Sequence, residues 1–163
     1  MNVFIISLII ILNFIFQSTL LQYLSIMGVI PNTALILVVC FSLFLDKNKA
    51  ATYGFVTGML QDILYSGFLG MYSLIYLILG YVVSSFSYKI FKENIFISFT
   101  LTGMSTIFYI LMNITILYLF GFETDSGYIF RMNTLYQIIY NAILSILIYM
   151  YVLRLYKRKF FNY

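Results

Sequence analysis

The first 45 residues contain no charged side chain, and the whole chain of 163 residues carries only 14, or 9% of its positions. A soluble domain carries roughly 25% charged residues, and 14 charged groups cannot cover the surface of a globule this large. With 63% of the residues hydrophobic, the expected solvent for most side chains is lipid. A membrane-spanning helix needs about 20 residues to cross a hydrocarbon core of roughly 30 Å. The chain therefore has room for about six crossings joined by short turns, and none for a separate soluble domain. Transmembrane strands would alternate in segments of about 10 residues, whereas the apolar runs here are 15 to 26 residues long with no period of two. The expected fold class is all-α: a polytopic membrane protein with six transmembrane helices, forming a single domain over residues 1–163.

The same scarcity excludes chemistry. There is no His and one Cys, Cys40, inside an apolar stretch, so His/Cys metal sites, Cys/His nucleophilic pairs and an intrachain disulfide cannot be assembled from this chain. No metal or cofactor is expected, and Cys40 reads as a packing residue. The net charge of +4 does not point to nucleic acid, because the basic residues stand at the ends of apolar runs and form no patch.

Uninterrupted apolar runs place spans at 3–23, 31–45, 50–66, 71–88, 95–120 and 132–153. Pro31 is expected in the first turn of the second span, where its missing N–H is not needed. The first run lacks a basic leading segment and a small-residue cleavage site, so it is expected to remain as a helix. The third run contains Thr52, Thr57, Gln61 and Asp62, and hydropathy alone would discard it. Charge placement argues for keeping it. With six spans and a cytoplasmic N-terminus, Lys47, Lys49, Lys89, Lys92, Arg154, Lys157, Arg158 and Lys159 all fall inside, eight of the nine basic residues. Glu123, Asp125 and Arg131 fall in the one long outer loop. This satisfies the positive-inside rule, with both termini cytoplasmic. No residue-level repeat relates the two halves, and no linker divides the chain.

Inside a bilayer the small and polar residues are the informative ones. Gly54, Gly58 and Asp62 are spaced four apart, so they share a helix stripe about 80° wide, and Gly67 and Gly70 follow. Such a small-residue face lets a second helix approach closely, either in the same chain or in a partner. Asp62 is the only ionisable side chain within a proposed span. It lies about 18 Å along from Ala50, past the midplane. Either it serves a function that needs its charge, or it accepts hydrogen bonds from backbone N–H groups of the following turn, Gly67 included. Asn13 and Gln17 form a polar ridge on the first span, beside Ser18 and Gln22. Asn113 is a similar polar residue of the fifth span, and Asn133, Gln137 and Asn141 repeat at four-residue intervals on the sixth. These ridges fit interhelical hydrogen bonds, a partner helix or a small cavity open to the outside. Tyr23, Tyr65, Tyr88, Tyr118, Tyr128 and Tyr151 lie near span ends, where tyrosine prefers the headgroup level. The tail with Arg154, Lys157, Arg158 and Lys159 can orient the chain, contact anionic membrane lipids or meet a cytoplasmic protein.

The order of these features resembles the MreD family of rod shape-determining membrane proteins. The resemblance rests on Pro31 opening the second span and on the stretch from Gly54 to Phe86. There Gly54, Gly58, Asp62, Gly67, Gly70, Gly80 and Tyr81 match a glycine-rich third helix with an acidic residue, a Gly-containing turn and a Leu-rich helix with a Gly-Tyr pair. Two places depart from the family's pattern: Asn32 and Thr33 stand where an acidic residue often follows the proline, and the turn before the fourth span lacks the proline often found near Phe68. The resemblance implies a non-enzymatic component of the bacterial cell-elongation machinery in the cytoplasmic membrane. It would act by binding an MreC-like bitopic protein and, through it, the RodA glycosyltransferase, a class B penicillin-binding protein and MreB. A second class has the same size and helix count: the vitamin-binding S-subunits of energy-coupling-factor transporters. On that reading the polar stripe of the sixth span would line a ligand site. An intramembrane enzyme fits least, since Asp62 has no second acid in the spans.

Overall fold

The computed structural model describes residues 3–19, 23, 25, 28–65, 69–87, 95–121 and 132–160, with the side chains of 3–5, 132 and 158–160 left aside. Among the described residues there are six helices and no strand: α1 (Val3–Thr19), α2 (Thr33–Ser42), α3 (Lys47–Tyr65), α4 (Met71–Ser87), α5 (Ile95–Leu119) and α6 (Met132–Phe160). The all-α class is as expected. Two helices, α5 and the Asn133–Lys157 part of α6, are long and apolar enough to cross a membrane by themselves.

The shortest helix holds the centre. All ten residues of α2 are buried, and α2 packs against each of the other five helices. At 1.5 Å per residue it is about 15 Å long, half of a hydrocarbon core. The sequence leads one to expect a longer helix over 31–45 with Pro31 in its first turn, and the structure corrects this. Asn32 is the N-cap, at φ −89° and ψ 80°, its side chain accepting from the Leu35 N–H at 3.0 Å. Pro31 lies outside the helix, where its carbonyl accepts the Thr33 N–H at 3.2 Å. An Asn that captures an orphan amide defines a helix start more strongly than the apolar run does. At the other end the chain turns at Leu43 to Leu45, and the Ser84 hydroxyl donates to the Leu45 carbonyl at 2.7 Å.

Other boundaries moved for related reasons. Helix α3 begins at Lys47, before the expected 50, with the Asp46 carbonyl accepting the Ala50 N–H at 2.8 Å; its polar first turn is invisible to a hydropathy reading. Helix α6 runs past the expected end at 153 to Phe160. Lys and Arg near a helix C-terminus suit its dipole, and nothing there breaks the helix. Helix α1 ends at Thr19, and Tyr23 lies in a turn beyond it.

Around α2 the remaining helices form two antiparallel hairpins, α3 with α4 and α5 with α6, while α1 packs on α2 and α3. The core gathers Leu35, Val38, Val39 and Phe41 of α2 with Tyr53, Ile75, Leu79, Val83, Tyr149 and Val152. Phe41 meets Tyr53 edge to face at 5.2 Å. Cys40 is fully buried in this core, its sulfur 3.5 Å from the Ser98 hydroxyl.

Candidate functional site

The glycine stripe of α3 is turned into its own hairpin. A Cβ placed on Gly54 would lie under 3.0 Å from the Tyr76 backbone, and one on Gly58 under 3.0 Å from the backbone of Tyr72 and Ser73. From the other side, Gly80 of α4 sits equally close to the Ala50 backbone. Three glycines thus let two backbones touch along the length of the hairpin, the close approach that small residues permit in membranes. Asp62 completes the seam. It is 2% exposed, and its carboxylate accepts the Tyr72 N–H at 2.8 Å, the Ser73 N–H at 3.0 Å and the Ser73 hydroxyl. These are groups of the first turn of α4, which have no partners within their own helix, at the positive end of the helix dipole. The buried acid is matched by a helix terminus. Gly70 begins this turn at φ +109°, where a side chain would be strained, and its carbonyl accepts the Leu74 N–H at 2.9 Å. Gly67 lies outside the described residues.

The polar ridge of α1 also finds its own chain. Gln17 and Gln61 exchange amide hydrogen bonds at 3.1 and 3.4 Å, and Thr33 donates to the Gln17 carbonyl oxygen at 3.3 Å. Asn13, one turn away, is half-buried. On α6 the four-residue stripe divides by depth: Asn133 is exposed, Gln137 half-buried and Asn141 fully buried. Asn113 on α5 is half-buried.

Asn32 ties these elements together, and the sequence reading singled it out only as a departure from a family pattern. Its backbone N–H donates to Asn141 Oδ1 at 2.9 Å. Its side-chain amide pairs with the Tyr76 hydroxyl, donating at 2.8 Å and accepting at 3.0 Å. Asn141 in turn donates to Thr106 Oγ1 at 3.2 Å. One residue at the head of α2 thereby connects α4, α6 and, through Asn141, α5. The available sequence signal was Asn directly before a helical apolar run, an N-cap pattern. Its long-range partners have no signature in the chain.

Among the described residues most of the exposed helix surface is apolar. Leu8, Ile11, Leu12, Ile15 and Phe16 form the exposed face of α1. Arg154 and Lys157 are exposed near the end of α6, while the side chains of Arg158 and Lys159 lie outside the described residues. Lys49 pairs with Asp46 at 3.3 Å, and Lys47 stands over the Tyr81 ring at 6.0 Å. Phe44, just before these lysines, stacks on Tyr149 at 5.6 Å and meets the Tyr156 ring at a tilt, 4.7 Å away. That contact brings the end of α6 beside the turn between α2 and α3.

Comparison with known protein families matches residues 1–159 to the family described as rod shape-determining protein MreD. No curated protein and no solved structure matches the chain.

Proposed function

This chain belongs to the MreD family of rod shape-determining proteins, and on that ground we propose that it is a multi-pass protein of the bacterial cytoplasmic membrane that supports cell elongation by holding partner transmembrane proteins, without chemistry of its own. The observation that carries this reading is where the polar groups go. Asp62, Gln17, Gln61, Asn32 and Asn141 are all buried and hydrogen-bonded to other parts of the chain. The surface left for work is the apolar outside of the helices. The favoured partner is an MreC-like bitopic protein, with RodA, a class B penicillin-binding protein and MreB reached through it.

The proposed topology keeps six crossings with both termini cytoplasmic. A ten-residue helix can serve as one of them because irregular backbone is tolerated at membrane depth where protein surrounds it. Val29, Pro31 and Asn32, which precede α2, are buried, Pro31 has no N–H to satisfy, and Ser84 caps the carbonyl at Leu45. Purification from native membranes tests the function. An MreC-like bitopic protein is expected to accompany the chain, and depletion is expected to turn rod-shaped cells round. Absence of such a partner together with unchanged rods would overturn the reading, and a tightly bound vitamin with a transporter ATPase would replace it.

A further inference from the structure

We propose that the outer leaflet of the membrane is drawn down over α1 to α4 by about 10 Å, so that lipid headgroups and water meet these helices at a lower level than they meet the α5–α6 hairpin. The inference rests on the six-span orientation proposed above. One level of all six helices is tied together by hydrogen bonds: Gln17 with Gln61 and Thr33, Asp62 with Ser73, Asn32 with Tyr76 and Asn141, and Asn141 with Thr106. From Lys49 along α3 to Asp62, and from Arg154 along α6 to Asn141, the rise is about 20 Å at 1.5 Å per residue. That is about two-thirds of a hydrocarbon core of roughly 30 Å.

Four helices stop near this level. Helix α1 ends at Thr19 and α3 at Tyr65, while α2 begins at Thr33 and α4 at Met71. The hairpin continues outward: α5 adds about 20 Å from Thr106 to Leu119, and α6 starts about 13 Å before Asn141, at Met132. Ile107, Leu111, Leu135 and Ile139 are exposed on this stretch, which suits hydrocarbon and not water. From Arg154 to Asn133, itself exposed, α6 rises about 32 Å, so polar side chains mark an ordinary thickness on the hairpin. Exposed tyrosines mark both levels, Tyr65 at the end of α3 and Tyr118 at the end of α5, and tyrosine favours the headgroup region. A hydrophobic stretch shorter than the local core is accommodated by thinning of the bilayer. Because α1 packs on α3 and α3 on α4, the short helices share one side of the bundle, and the thinning is confined to that side.

The test is spin labelling of the full chain in phosphatidylcholine bilayer discs, with the single cysteines T19C, Y65C, I107C and I139C in a C40S background. All four positions are exposed and lie within about 5 Å of the tied level along their helices. Accessibility to oxygen reports hydrocarbon, and accessibility to a water-soluble nickel chelate reports the headgroup region. The oxygen-to-nickel ratio should be several-fold higher at 107 and 139 than at 19 and 65. Equal ratios at all four positions would mean a flat interface and overturn the proposal. Low access of both reagents to 19 and 65 would mean that protein covers this side, and would overturn it too. F99C, nearer the start of α5, separates this inference from the reading beneath it. Nickel access at 99 would remove the spanning arrangement itself, whereas oxygen access at 99 with equal ratios at the other four removes the indentation alone.

Discussion

Asp62 shows how a carboxylate can sit in an apolar bundle with no basic partner among the described residues. Three donors from the first turn of α4 surround it, and hydrogen bonds to a charged acceptor contribute about 1.5–3 kcal/mol each when buried. Asn at this position keeps an acceptor oxygen for one of the two N–H groups, whereas Leu leaves both unsatisfied. Asp62→Leu is therefore expected to destabilise the protein by about 3 kcal/mol and Asp62→Asn by roughly half as much, read as thermal unfolding of the purified protein in detergent. Equal and severe loss of rod shape in cells carrying either variant, with unchanged melting, would indicate a role for the charge itself. The sequence exposed the anomaly of an acid in a span and the alternative of backbone donors. It could not supply the donors' identity, because Tyr72 and Ser73 reach Asp62 only through the register of the hairpin. Asn32 illustrates the opposite limit. Its cap is local and readable, while its bonds to Tyr76 and Asn141 cross 44 and 109 residues of chain.

At the scale of elements, the α3–α4 hairpin is the most specific piece of packing. Glycine spacing on α3 was readable as a close-approach face, but two occupants fit it equally well. The backbone contacts of Gly54, Gly58 and Gly80 decide that α4 occupies it. Substituting Gly54 or Gly58 by Val would force the backbones apart, with an expected cost above about 3 kcal/mol, since overpacking by even a few methylenes costs 1–3 kcal/mol. Gly103 on α5 is the matched control. A Cβ there meets nothing within 4 Å, so Gly103→Ala should change stability by less than about 1 kcal/mol, the helix-propensity difference. Expression level and melting temperature of the three variants measure the contrast. Comparable effects at all three positions would mean that backbone flexibility, and not close packing, sets the cost. Helix α2 is where hydropathy misleads most. Its apolar run reads as an ordinary span because a residue buried by protein and one bathed by lipid have the same composition.

For the whole molecule, the placement of charge predicts the orientation, and labelling tests it. Single cysteines introduced at Asn48 and at Lys157 in a Cys40→Ser background are expected to react with an impermeant thiol reagent only after the cytoplasmic face is opened, and one at Asp125 to react in intact spheroplasts. Labelling of 48 and 157 from opposite sides would remove the six-span topology. Charge scarcity, run length and the placement of basic residues were enough to establish an all-helical membrane protein, because those properties are summed along the chain and do not depend on which helix touches which. The tertiary structure alone decided that the shortest helix lies at the centre, that the glycine face and, of the polar ridges, Gln17 and Asn141 are spent within the chain, and that Asn32 joins the two hairpins. In lipid, apolar side chains distinguish poorly between neighbours and solvent. The assignment of helix to helix therefore rests on a few hydrogen bonds and close backbone contacts between residues far apart in sequence.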